Sequence, residues 1–217
     1  MEDILLKIAI WAPPVVAAVV LHEVSHGWVA NRLGDPTAAR LGRLTLNPIA
    51  HVDLFGTILV PLGLVAAGSP FVFGYAKPVP VNFNNLRNPK RDMIWVALAG
   101  PAMNLTLALL FAFVWKALIP FSAGAPEGLN LIGIAVLMAQ AGLLINIVLA
   151  VFNLLPLPPL DGGRVLVGLL PEPLSNLVAR VEPFGFVILI ALLFTRVLDG
   201  IIRPPIEFFL RLFLGFF

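Results

Sequence analysis

There is no cysteine in the chain. Disulfides are excluded, and so are thiolates as nucleophiles or metal ligands, which leaves imidazole and carboxylate groups to hold any metal. Charge is also scarce: 12% of the 217 residues carry one, against about a quarter in a soluble globular domain, while 59% are apolar. That balance excludes an ordinary soluble domain and intrinsic disorder. The net charge of +2 is scattered rather than gathered into a basic stripe, so a nucleic-acid partner is not expected. With a mean hydropathy of +0.98, what remains is an integral membrane protein whose first partner is the lipid bilayer. The opening MEDILLK carries two acids and is followed by no small-residue cleavage site, so no signal peptide is expected.

About 20 apolar residues in a helix cross the hydrocarbon layer. The uncharged stretches predict a first helix from Ile4 to Ala30, kinked at Pro13-Pro14, and a short helix from Leu54 to Ala67. Two spans follow, over Met93 to Trp115 and over the long run from Gly128, the latter ending near Asn153 because Pro156, Pro158 and Pro159 come next. A further span is expected over Pro183 to Thr195, with a start as early as Leu174 left open, and the Phe- and Leu-rich tail fits an interfacial helix. The expected fold is an all-α polytopic membrane protein of five to six transmembrane helices, with a short extended or re-entrant region between the second and third. It is read as a single domain over residues 1–217, with no linker or internal repeat. Arginines and lysines gather in 32–43 and 77–91 and are absent from 120–128, which places the first two segments in the cytoplasm.

Ionisable groups at membrane depth are costly, so each is a functional candidate. His22-Glu23-Val24-Ser25-His26 reads HExxH: on a helix, the two imidazoles share a face where both can bind one Zn²⁺, and Glu23 stands beside the open position as general base. A chance occurrence in this composition is on the order of one in a thousand. A catalytic zinc takes three protein ligands, and without cysteine the third is His51 or a carboxylate. Asp161 is favoured, since it ends a long uncharged run where an unpaired carboxylate is expensive; read alone, it is an Asp-Gly turn. His51 reads as an interfacial loop residue, or else as a group close to the metal. Lys116 reads as an interfacial anchor, Arg164 as a cytoplasmic interface residue, and Gly100-Pro101 with Asn104 as helix packing. Ser25, Asn31, Asn47, Asn104, Asn146 and Asn153 are expected to line a water route, and Phe71 to Val81 is either an extended edge for a substrate strand or a surface loop.

HEVSH on an early apolar helix, followed much later by NLLPLPPLDGG, resembles the site-2 protease family of intramembrane zinc metalloproteases. LNPIAHVDLFGT, FGYAKPVPVN and ALAGPAMNL resemble its small bacterial and archaeal members in the same order. The resemblance implies one zinc per chain held by His22, His26 and Asp161, Glu23 as catalytic base, and Asn153 as a contact for substrate or the oxyanion. It further implies a transmembrane protein substrate, the plasma membrane of a prokaryote and a site toward the cytoplasm. No part of the sequence has room for the PDZ module that some members carry, and nothing in it fixes an oligomeric state. A metal or ion transporter, or a zinc-dependent scaffold that binds helices without cutting, stands as the alternative. A transporter lacks its expected two related halves here, and a scaffold has no use for Glu23.

Overall fold

Two adjacent prolines do not end the first helix. In the computed structural model, which describes residues 2–66, 68, 74–122, 131–195 and 197–215, helix α1 runs unbroken over Glu2–Leu33 with Pro13 and Pro14 inside it. Proline is tolerated in an apolar helix whose freed backbone groups find partners in neighbouring helices rather than in water. A crossing layer of short elements follows: helix α2 (Thr37–Arg40), a 3₁₀ turn (Pro48–His51), a π-helical turn (Leu54–Leu59) that runs into helix α3 (Val60–Ala66), and a second 3₁₀ turn (Phe83–Asn85). Helix α4 (Pro89–Ser122) starts on a proline, where no backbone donor is missed, and Asp92 Oδ2 accepts the N–H of Asn88 at 2.8 Å to cap it. Helix α5 (Leu131–Asn153) ends at the residue expected from the prolines beyond it.

Helix α4 is the hub, packing against α5, α1 and the later helix α6 (Asp161–Leu169). Where α4 meets α5, Ala108 and Ala112 are fully buried against Leu143, Ile147 and Val151. Small side chains there let two backbones approach closely, which is how helices gain packing energy where lipid removes the hydrophobic drive. Helices α7 (Leu174–Ala179), α8 (Glu182–Phe194) and α9 (Val197–Gly215) follow, and Phe213 of α9 closes the α4–α5 core. Lys116 does not simply reach for the interface: its ammonium donates to the carbonyl of Leu214, tying α4 to the end of α9.

The described residues are helical or irregular, with no strand among them. Among the described residues, three helices are long and apolar enough to cross a membrane: 5–33, 89–122 and 131–153. A fourth span is available if α8 and α9, bent by 86°, form one broken crossing. The early start at Leu174 resolves into a separate helix, since the chain breaks at Arg180 and Val181 before α8 begins. Residues 71–73 of the expected extended edge lie outside the described residues. Residues 74–82 form no ladder; Tyr75 N–H donates to Gly56 O at 3.0 Å and Lys77 N–H to His51 O at 2.9 Å.

Candidate metal centre

The HExxH sequence lies wholly within α1, so its two histidines stand one turn apart with rings 4.6 Å between centroids and nearly perpendicular. Each ring is turned by a bond on its outer nitrogen. His22 Nδ1–H donates to Asn104 Oδ1 at 2.6 Å, and His26 Nδ1–H donates to the carbonyl of Val96 at 2.7 Å. Both acceptors lie on α4, so that helix fixes both tautomers and leaves each Nε2 with a bare lone pair. The two Nε2 atoms are 3.0 Å apart.

Asp161 meets them from the other end of the chain. The prolines of 154–160 break the chain after α5, and Asp161 opens the first turn of α6. It is therefore a helix start rather than an Asp-Gly turn, the other reading its sequence allowed. The loop lies so close that a Cβ on Gly162 would stand 2.2 Å from Leu154 O. Asp161 Oδ2 reaches 3.2 Å from His22 Nε2 and 3.3 Å from His26 Nε2.

Three acceptor atoms facing one another without a shared proton would repel. Asp161 Oδ2 is buried with no hydrogen-bond partner, and an orphaned anion of this kind is costly. A cation between the three removes the conflict. Ligands at about 2.0–2.2 Å from a tetrahedral zinc stand ~3.3 Å from one another, close to the 3.0–3.3 Å separations found here. These residues therefore fit a metal, and His22, His26 and Asp161 form a buried group able to hold one.

Two residues read as helix packing belong to this centre. A Cβ on Gly100 would lie 2.4 Å from His26 Nε2 and 2.6 Å from His22 Nε2, so α4 shapes the floor of the site by lacking a side chain. Asn104 gives one Nδ2–H to Ala18 O at 3.2 Å and the other to Asn146 Oδ1 at 2.9 Å. Asn146 in turn donates to Gly142 O, which completes a sealed chain through α1, α4 and α5. These two asparagines are fully buried and paired with each other rather than lining a water route. The signals in the sequence were the four-residue spacing of Gly100 and Asn104 and their place within the ALAGPAMNL stretch.

Glu23 is half-buried, and its Oε2 accepts the N–H of Val79 at 2.8 Å. Asn153 turns back on its own helix, Nδ2–H donating to Leu149 O at 2.9 Å. His51, the last residue of the first 3₁₀ turn, is buried and donates from Nε2 to Thr45 O at 2.9 Å, and it is not part of the three-residue group. Arg164 pairs with Glu182 at 3.7 Å and lies over the ring of Phe83.

The family model described as Peptidase family M50 matches residues 12–124 and 129–195. The chain is 36% identical over 200 residues to "Putative zinc metalloprotease YwhC" of Bacillus subtilis (strain 168), covering 88% of this chain and 83% of that protein. It is 30% identical to "Putative zinc metalloprotease Rip2" of Mycolicibacterium smegmatis, covering 90% and 69% of the two chains. Against "Putative zinc metalloprotease MJ0611" of Methanocaldococcus jannaschii it is 42% identical over 150 residues, covering 68% and 63%. No solved structure matches it significantly. The match spans α1 with its two imidazoles and α6 with the carboxylate that completes the metal group, and on that extent the chain belongs to peptidase family M50, the site-2 protease family.

Proposed function

We propose that this chain is a zinc metalloendopeptidase that hydrolyses peptide bonds within or near the transmembrane segments of other membrane proteins, in a prokaryotic plasma membrane and with its site toward the cytoplasm. The observation that carries this reading is the convergence of His22 Nε2, His26 Nε2 and Asp161 Oδ2, with a second carboxylate, Glu23, next in the chain to the first ligand. These three atoms would hold one zinc. When bound, Zn²⁺ brings the pKa of a water to about 7 and polarises a carbonyl. Glu23 takes the proton of the attacking water and returns it to the leaving amine. Asn153, at the end of α5, is the substrate or oxyanion contact in this reading.

A peptide bond within a helix is shielded by its own hydrogen bonds, so the substrate must be unwound. Tyr75 and Lys77 spend their N–H groups on Gly56 O and His51 O, and Ala76 between them is where an extended substrate segment would pair in this reading. In this reading the five to six membrane helices are the three long apolar helices, the apolar helix over 54–66, and α8 with α9 as one bent crossing or two.

The test is cleavage of a single-span protein by the purified, zinc-loaded chain in liposomes. Glu23→Gln should keep the zinc while lowering the rate by roughly 10²–10⁴-fold. Undiminished cleavage by that variant would refute the reading. Metal flux across sealed vesicles without hydrolysis would favour transport.

A further inference from the structure

The tripeptide Pro78-Val79-Pro80 has a single backbone donor, because proline has none, and that donor is spent on Glu23: Val79 N–H to Oε2 at 2.8 Å. From this geometry we infer that Val79 is a positioning residue for the reaction, its amide holding the Glu23 carboxylate by one oxygen so that the other is presented to the water. The inference rests on the reading of Glu23 as the base.

Three independent features place this one N–H. Each proline fixes its own φ, and Pro80 biases Val79 toward an extended backbone, so the donor's direction is set before folding. The guanidinium of Arg43 donates from Nη2 to the carbonyls of Lys77 at 3.0 Å and Pro78 at 3.3 Å, clamping the strap just ahead of Val79. The side chain of Val79 is buried against α1 at Gly27, one turn beyond Glu23, where an added Cβ would meet Val79 Cγ1 at 2.6 Å. A notch, a clamp and a stiff backbone converge on one hydrogen bond, and that bond ends on the base.

The consequence is chemical. A glutamate has three rotatable bonds, and a base must meet its proton within hydrogen-bond reach. Anchoring one oxygen with a charge-assisted bond removes most of that freedom, as preorganised donors do elsewhere in active sites. A purely structural strap would need no donor aimed at a carboxylate.

The experiment replaces the amide at position 79 by an ester, using the α-hydroxy analogue of valine introduced by nonsense suppression in the full chain. This removes the N–H and keeps the side chain. The reference is the chain made by the same route with valine. The ester is expected to lower kcat roughly 10- to 100-fold, with KM for a single-span substrate within about twofold and zinc content unchanged. In zinc-free protein, the carboxylate stretching band of Glu23, isolated by difference against Glu23→Gln, is expected to shift in the ester. Arg43→Gln, which loosens the clamp but leaves the amide, is expected to lower kcat in the same direction by a smaller factor. An unchanged kcat in the ester with an inactive Glu23→Gln overturns the role of Val79 while leaving Glu23 as base. A rise in KM alone, or a loss of zinc, also overturns it by making the strap a substrate or structural element. An active Glu23→Gln instead overturns the underlying reading. If the ester chain does not fold, Arg43→Gln decides: a fall in kcat at constant KM and zinc content supports the role, and an unchanged kcat overturns it.

Discussion

Asn104 is a neutral side chain doing what a carboxylate often does behind a zinc-binding histidine. Its Oδ1 accepts the Nδ1–H of His22, and its two N–H bonds to Ala18 O and Asn146 Oδ1 keep the amide from flipping. Asn104→Leu should weaken zinc binding by about 10- to 100-fold, read by competition with a chelator, because the ring loses its tautomer and orientation. Gly100→Ala should remove metal binding outright, since a methyl group would stand within 2.4–2.6 Å of ring atoms of both histidines; metal content measured beside thermal unfolding separates this from loss of the fold. The group of His22, His26 and Asp161 was legible in the sequence because HExxH and an aspartate at the end of an uncharged run are chemically conspicuous in an apolar chain. Asn104 and Gly100 were not, because a small residue and an amide one turn apart also describe ordinary helix packing. Only the partner helix tells which is meant.

The elements divide in the same way. The end of α5 at Asn153 was readable because proline acts locally, and the bodies of α1 and α4 because long uncharged runs allow few alternatives. The first turn of α6 was not, since two consecutive glycines have poor helix propensity and the loop packed over them is a tertiary fact. The connection after α1 escaped notice for a related reason: its organiser, Asp35, looks like any loop acid. It is fully buried and accepts from Asn82 N–H at 2.7 Å, Asn85 Nδ2 at 2.9 Å and Thr37 N–H at 3.1 Å, as well as from the Thr37 hydroxyl. Burial pushes its carboxyl up, and these donors more than compensate, holding it below the ordinary carboxylate value. A group lowered in the folded state contributes stability that is present above its unfolded pKa of about 3.9 and lost as pH falls through its folded value. The protection of the Asn82 amide against hydrogen exchange, taken relative to its intrinsic rate at each pH, should therefore be constant around neutral pH and fall below about pH 4. Asp35→Ala should cost about 1.5–3 kcal/mol in unfolding measurements at neutral pH.

Across the whole molecule, the metal group joins α1 to α6, and α4 packs against both. Binding that favours only the folded chain adds stability by mass action, ~4 kcal/mol when free metal is a thousand times its dissociation constant. Chelation should therefore lower the unfolding temperature of the parent chain and leave that of Asp161→Ala nearly unmoved, which differential scanning in a fixed detergent would show. The order of the ligands along the chain has a further outcome. A ribosome that has delivered the segment through Asn153 has released both imidazoles and Glu23 but not Asp161. Until translation passes the proline-rich turn, the nascent protein offers a metal only two nitrogens, so the three-residue group is completed only after α1, α4 and α5 have been made.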